Sequence, residues 1–206
     1  MRLGLWLAAA YLVGAFPTSY LAGRLARGID LREHGSKNLG ATNVYRVLGW
    51  GWAIPVALVD VLKGALPVAV FAPWAGGPGW TPITLGVAAV LGHVYSPYVR
   101  FKGGKGVATA AGMFLALAPL AVLLAIPVWA GCVWLTGYVS VASITVALAF
   151  PFAVWLTRPG APAVLIASVA LALFIVIAHR ANIRRLVAGT ENRFGRRGTA
   201  AAGGAP

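Results

Sequence analysis

Residues 106–157 read GVATAAGMFLALAPLAVLLAIPVWAGCVWLTGYVSVASITVALAFPFAVWLT, 52 positions without one Lys, Arg, Asp or Glu. Roughly 20 apolar residues cross a bilayer as helix, so the stretch holds two generous spans or three of about 17 residues each. Hydropathy alone leaves both open. Outward from it lie further uncharged runs at Leu3–Gly23, Val47–Val59, Gly64–Val99 and Pro159–Ala178. Ala72-Pro-Trp-Ala-Gly-Gly-Pro-Gly-Trp80 divides the region Gly49–Val99 into two spans, because Gly and Pro cluster there between two Trp that suit a membrane interface. Leu3–Gly23 reads as a retained span rather than a cleaved signal peptide, since Arg2 alone is a thin basic flank and the chain beyond stays membranous. Hydrophobic residues make up 60% of the 206 positions and charged ones 10%, against about 25% in a soluble domain. A soluble enzyme is excluded.

Charge decides between the two counts. Seventeen Lys and Arg face four acids, Asp30, Glu33, Asp60 and Glu191, for a net charge of +13. Fourteen of the seventeen fall in three clusters: Arg24, Arg27, Arg32, Lys37 and Arg46; Arg100, Lys102 and Lys105; Arg180, Arg184, Arg185, Arg193, Arg196 and Arg197. Basic residues beside membrane spans favour the cytoplasm. Two spans separate the first cluster from the second, and an even number must separate the second from the third, which requires three crossings in 106–157. The expectation is an all-α integral membrane protein, a bundle of seven transmembrane helices with the N-terminus outside and the C-terminus in the cytoplasm. Residues 1–197 form its single domain and 198–206, Gly and Ala without pattern, a disordered tail. Asp60 and Lys63, three apart, are expected to pair on one helix face as a structural ion pair.

Cysteine is limited to Cys132, deep in an apolar run, and Asp30 and Asp60 are thirty positions apart, so neither a thiolate nor a clustered-carboxylate metal site is expected. No metal and no cofactor are expected.

The three basic clusters carry more than topology. Gly35-Ser-Lys-Asn-Leu-Gly-Ala-Thr-Asn-Val-Tyr-Arg46 interleaves hydroxyls, amides and cations with small residues. Gly35 and Gly40 permit turns that aim backbone N–H groups inward, Ser36, Asn38, Thr42 and Asn43 donate, and Arg46 can grip a phosphate bidentately. A helix cap at Thr42 or Asn43 after a polar loop is the plainer reading of the same residues. The second segment, Gly92 to Thr109, sets Lys102, Gly103, Gly104, Lys105 and Gly106 at the start of an apolar helix, where backbone amides and the helix dipole favour an anion. It is no Walker loop, because Gly106 follows Lys105 where Ser or Thr is required. The alternative is a glycine hinge flanked by topology lysines. In the third segment His179 and Asn182 are three apart and share a face, with Arg184 and Arg185 on the rim. His179 can take a proton near neutrality or hold a phosphate as a cation. Glu191 is expected to make a salt bridge that fixes this segment. His34 and His93 read as histidines without chemistry. A cytoplasmic-side pocket for two phosphate-sized groups is the outcome, with a field that attracts small dianions. An organic-anion transporter would want polar residues near the bilayer midplane, where only Asp60 and Lys63 lie, and no internal repeat is visible. A lipid- or RNA-contacting protein would need only Lys and Arg, which leaves the Ser, Asn, Thr and Gly pattern unused.

The three segments resemble, in order and separation, the signature motifs of the acyl-phosphate-dependent glycerol-3-phosphate acyltransferases of bacterial membranes: Ser36–Arg46 the first, Phe101–Thr109 the second, His179–Glu191 the third. The likeness covers residues 1–194. It implies transfer of a fatty acyl group from acyl phosphate to the 1-hydroxyl of glycerol 3-phosphate, giving lysophosphatidate and phosphate at the start of phospholipid synthesis in the cytoplasmic membrane. It implies transient contact with a soluble phosphate acyltransferase that supplies the donor, and no nucleic acid. Under it the expected mechanism is direct displacement without an acyl-enzyme. Arg46, Lys105 and His179 meet the phosphate of glycerol 3-phosphate and Ser36 and Asn182 its hydroxyls. Asn38, Thr42, Asn43 and the amides of Gly103, Gly104 and Gly106, with Lys102 nearby, hold the acyl phosphate. The proton acceptor is either His179 or the substrate's own phosphate.

Overall fold

Residues 2–195 are described by a computed structural model; the tail expected over 198–206 lies outside them. The described residues are helical with no strand. In chain order the helices are α1 (Arg2–Ala15), α2 (Thr18–Arg27), α3 (Ala41–Leu48), α4 (Trp50–Leu66), α5 (Ala72–Ala75), α6 (Thr81–Val94), α7 (Val107–Leu117), α8 (Pro119–Thr136), α9 (Val139–Thr157), α10 (Pro162–Ala178) and α11 (Arg180–Val187). Pro67 cannot donate within a helix, and a single wide turn over Pro67–Phe71 carries α4 into α5. Leu5, Leu62, Trp134, Leu135, Phe152 and Ile166 point outward from the bundle. An apolar exterior on an all-helical chain suits hydrocarbon, where every backbone polar group must be satisfied within its own segment.

Stretch 106–157 does form three helices, of 11, 18 and 19 residues, rather than three equal ones. Pro119 sets the first break, since the residue before a proline is pushed out of the helical region and Ala118 adopts φ −148°. At 1.5 Å per residue α7 is about 16 Å long and α6 about 21 Å, short of a hydrocarbon core of about 30 Å. Four helical stretches, Arg2–Arg27, Trp50–Ala75, Pro119–Thr136 and Val139–Thr157, are long and apolar enough to cross; α10 joined to α11 across a 54° bend makes a fifth. Helix length and composition by themselves pick out four or five crossings and do not reach the expected seven. Between α6 and α7 the chain is anchored by buried Ser96 and Val99, while Tyr98, Arg100, Phe101 and Lys102 stay exposed.

Lipid offers little drive for helices to associate, so small residues that let backbones approach carry the packing. A Cβ on Gly64 would lie 1.9 Å from the Thr109 carbonyl oxygen, and one on Gly112 1.9 Å from that of Val61, which clamps α4 to α7. Gly14 and Gly92 clamp α1 to α6 in the same reciprocal way, against Ala89 and Tyr11. Asp60 and Lys63 pair at 2.7 Å, and Lys63 also donates to the Phe16 carbonyl beside the Pro17 break, while Thr18 donates to Asp60. These contacts hold α6 and the start of α7 against α1 and α4, and so place the segment that carries Lys105.

Candidate active site

A cavity of about 430 Å³ runs between α3, α4, α6, α7, α8, α9 and α10. Its upper end is lined by Ser36, Asn38, Thr42, Asn43, Arg46, Lys105, Gly106, His179, Asn182 and Glu191, so residues of all three sequence segments meet there. Its lower arm is apolar, walled by Ala110, Phe114, Val122, Ile126, Phe150 and Leu171.

Each polar wall has a local cause. Thr42 and Arg46, four apart, share one face of α3 and meet the cavity together. Asn43 on the neighbouring face is buried and its carboxamide is engaged by the loop: its Nδ2 donates to the carbonyls of Leu31 and His34, and its Oδ1 accepts from the Ser36 N–H at 2.7 Å. It shapes the loop that presents Ser36. Arg46 donates to the Asn192 carbonyl at 3.1 Å, while its buried Nε has no partner among the described residues. Burial lowers its pKa from the usual arginine range, Glu191 acts against this and Arg185 adds to it. A guanidinium removed from water without a carboxylate on it is a site that wants an anion.

Lys105 donates to the Asn182 side-chain oxygen. Burial, abetted by Arg185 and Arg46 and opposed by Glu191, pushes its pKa down to about 8. Asn182 in turn donates to Glu191 at 2.7 Å, and Glu191 also accepts from Arg185 at 2.7 Å and Ser140 at 3.0 Å. Burial raises the Glu191 pKa, but those three hydrogen bonds outweigh it and leave the carboxylate below its usual range. Glu191 is the hub that ties α9, α11 and the following strap to Lys105. The strap then crosses to α3, where Phe194 packs against Tyr45 and Trp50 and its N–H reaches the Gly137 carbonyl.

His179 stands at the α10–α11 bend, one residue beyond α10, with Nδ1 2.8 Å from the Ile175 carbonyl. A carbonyl only accepts, so Nδ1 carries the proton and Nε2 of the neutral ring is left with its lone pair. Burial, with the Lys105 charge adding, pushes the His179 pKa down to about 4. The ring is neutral near pH 7 and can accept a proton.

Three residues expected at this site lie elsewhere. The Gly103 and Gly104 N–H groups donate to the carbonyls of Val94 and His93 at 3.0 and 3.2 Å, so they cap the end of α6 and do not cradle a ligand. A Cβ on Gly103 would sit 2.0 Å from the His93 carbonyl oxygen and one on Gly104 2.2 Å from both the His93 ring and the Leu39 carbonyl, so close packing is what demands glycine here. Lys102 lines a second, open hollow with Asp30, Arg32, Glu33, Lys37 and Arg100. Conversely, Asp60, His93, Ser140 and Ser143 line the main cavity though sequence reading set none of them there. Ser140 and Ser143 sit in an uncharged run with no flanking signal.

A family model described as glycerol-3-phosphate acyltransferase matches residues 4–189. Among curated relatives, the glycerol-3-phosphate acyltransferase of Trichlorobacter lovleyi is 48% identical over 194 residues, covering 92% of this chain and 96% of the relative. That of Chlorobaculum parvum is 44% identical over 221 residues, covering 91% and 95%. This chain belongs to the glycerol-3-phosphate acyltransferase family. Two crystal structures of PlsY (YgiH), an integral membrane glycerol 3-phosphate acyltransferase, share its fold. The glycerol 3-phosphate form has a TM-score of 0.84 at 37% identity, and the lysophosphatidic acid form 0.85 at 36%, each covering 95% of this chain and 96% of the other. As a family member with several apolar helices of crossing length, the chain is an integral membrane protein.

Proposed function

We propose that this protein transfers a fatty acyl group from acyl phosphate to the 1-hydroxyl of glycerol 3-phosphate, yielding lysophosphatidate and inorganic phosphate. One observation carries the reading: a single cavity joins half-buried Arg46 and Lys105, neither in contact with a carboxylate, to an apolar arm, so a small phosphate ester and an acyl tail fit the same space. Arg46 and Lys105 take the phosphate of glycerol 3-phosphate, and Ser36 and Asn182 orient its hydroxyls. Asn38, Thr42 and Gly106 face the acyl phosphate head, and the tail follows the arm past Phe114 and Phe150. The hydroxyl oxygen bonds to the acyl carbonyl carbon as the carbon–oxygen bond to phosphate breaks. His179 Nε2 accepts the hydroxyl proton and passes it to the departing phosphate. The protein's share is alignment and charge stabilisation, because acyl phosphate is already activated. No acyl-enzyme forms: Ser36 has no adjacent base, as His34 Nδ1 is turned to the Asp30 carbonyl, and Cys132 does not line the cavity.

The same proposal includes metal independence, one domain over residues 1–197, and seven passes through the bacterial cytoplasmic membrane, with α6 and α7 as the two shortest. The N-terminus is outside, the C-terminus is in the cytoplasm, and a soluble phosphate acyltransferase delivers the donor by transient contact. Gathering of all three basic segments at one end of the bundle supports that orientation. Purified protein given labelled glycerol 3-phosphate and acyl phosphate, with EDTA present, should release phosphate and labelled lysophosphatidate in equal amounts. Product from acyl-CoA in place of acyl phosphate, or a requirement for added divalent metal, would contradict it. For topology, a cysteine placed at Arg158 should react with an impermeant maleimide in spheroplasts; protection there until lysis contradicts the seven-pass count.

A further inference from the structure

The lower arm of the main cavity ends at one level on the four helices that wall it. Helices α7 and α9 run away from the polar end and α8 and α10 run back toward it, so the lining residues farthest from that end are Phe114, Val122, Phe150 and Ser168. Beneath this level the bundle is solid. Ala118 and Val154, each one turn beyond a phenylalanine, and Ala121 are at most 1% exposed, belong to the same apolar core as Phe114, and do not line the cavity. The Phe114 and Phe150 rings meet across the foot of the arm, with centroids 4.8 Å apart and planes tilted by 57°. Depth follows from α9: Ser140 donates to Glu191 at the polar end and stands ten positions before Phe150, so the arm is about 15 Å deep at 1.5 Å per residue. Carbon–carbon bonds of about 1.5 Å at angles near 111° advance about 1.25 Å each along an extended chain, so about a dozen carbons fill it. A shorter tail stops above the ring pair. A longer one has to part the rings, because close-packed atoms leave it no other room below.

We propose that the Phe114–Phe150 pair is the constriction that sets the acyl chain-length preference of this enzyme. The proposal rests on the acyltransferase reading, with the acyl tail lying in this arm. Phe150 is half-buried and gives way more readily than Phe114, which is 3% exposed and fixed in the core. The pair acts on the far end of the tail and leaves the reacting atoms untouched, so it discriminates by length alone.

Internal competition reads this directly. Glycerol 3-phosphate and an equimolar mixture of 12- and 18-carbon acyl phosphates, in mixed micelles at fixed donor mole fraction, give two lysophosphatidates whose ratio by mass spectrometry is the ratio of the two kcat/KM values. Phe150→Ala should raise the 18-to-12-carbon ratio at least fivefold, Phe114→Leu should raise it at least twofold, and Phe150→Trp, which narrows the gap, should lower it at least fivefold. The KM for glycerol 3-phosphate should stay within twofold in each. Phe150→Leu takes the place of Phe150→Ala should alanine fail to fold. An unchanged ratio in every variant overturns the role and sends the tail sideways past Ile126, which lines the cavity and is 55% exposed. Equal losses at both lengths overturn it too, as the mark of a packing pair. Wild-type protein that uses acyl-CoA and not acyl phosphate overturns the donor reading alone; the same two chain lengths on acyl-CoA should then give the same shifts.

Discussion

Two hollows of about 430 Å³ each open among the basic segments, and they use their cations in opposite ways. In the main cavity Arg46 and Lys105 are half-buried, and their polar partners are neutral: the Asn192 carbonyl and the Asn182 amide. In the second hollow Lys37, Arg100 and Lys102 are exposed, and Arg32 is matched to Asp30 at 2.6 Å. The Arg32 side-chain hydrogen bond holds Asp30 below the usual carboxylate range against the effect of burial. Charge drawn partly out of water with no carboxylate in contact favours a ligand, whereas exposed charge in salt solution only steers one. Charge counting treats the two hollows alike, and burial separates them.

The comparison can be broken from its strong side first. Arg46→Ala should lower kcat/KM about a hundred- to a thousandfold, the usual loss when one member of a buried charge contact is truncated, and Arg46→Lys should recover little because a planar fork becomes a point charge. Near-normal kinetics in Arg46→Lys would reduce Arg46 to a topology signal. His179→Ala should cut kcat by about a hundredfold or more with a small change in the KM for glycerol 3-phosphate, the pattern of a lost proton acceptor. Turnover close to wild type would pass the proton to the substrate's own phosphate.

A pH profile sharpens the same contrast. Lys105, with its pKa pushed down to about 8, is charged below that pH and neutral above it. The second ionisation of a phosphate monoester lies near pH 6. kcat/KM should therefore rise through about pH 6 and fall above about pH 8, and Lys105→Arg should move the falling limb upward. A limb that stays in place assigns it to another group. Smallest of all, Lys102→Ala and Lys37→Ala should change kcat/KM by less than about twofold at physiological salt, as screened surface charges do.

Much of this architecture was legible in uncharged runs and in proline and glycine positions. Division of 106–157 into three helices follows charge parity and the Ala118–Pro119 break. The length of α7 was hidden, because nothing in the hydropathy of Tyr95–Lys105 says that Ser96 and Val99 will anchor this segment while Arg100 and Lys102 stay exposed. Segment meetings at the site were legible as well, since Arg46, Lys105 and Asn182 stand in polar patterns that topology cannot use. Glycine misled: at Gly103 and Gly104 it serves close backbone contact with α6, and a sequence cannot distinguish that from space left for a phosphate. The hub role of Glu191 needed Ser140, fifty-one positions away.

The most direct measurement is calorimetric binding of glycerol 3-phosphate to purified protein in detergent at fixed salt, comparing wild type, Arg46→Ala and the triple variant Lys37→Ala, Arg100→Ala, Lys102→Ala. Binding should be lost in Arg46→Ala and stay within about twofold of wild type in the triple variant, whose charges are exposed. Retained binding in Arg46→Ala with loss in the triple variant would place the substrate in the second hollow and contradict the account.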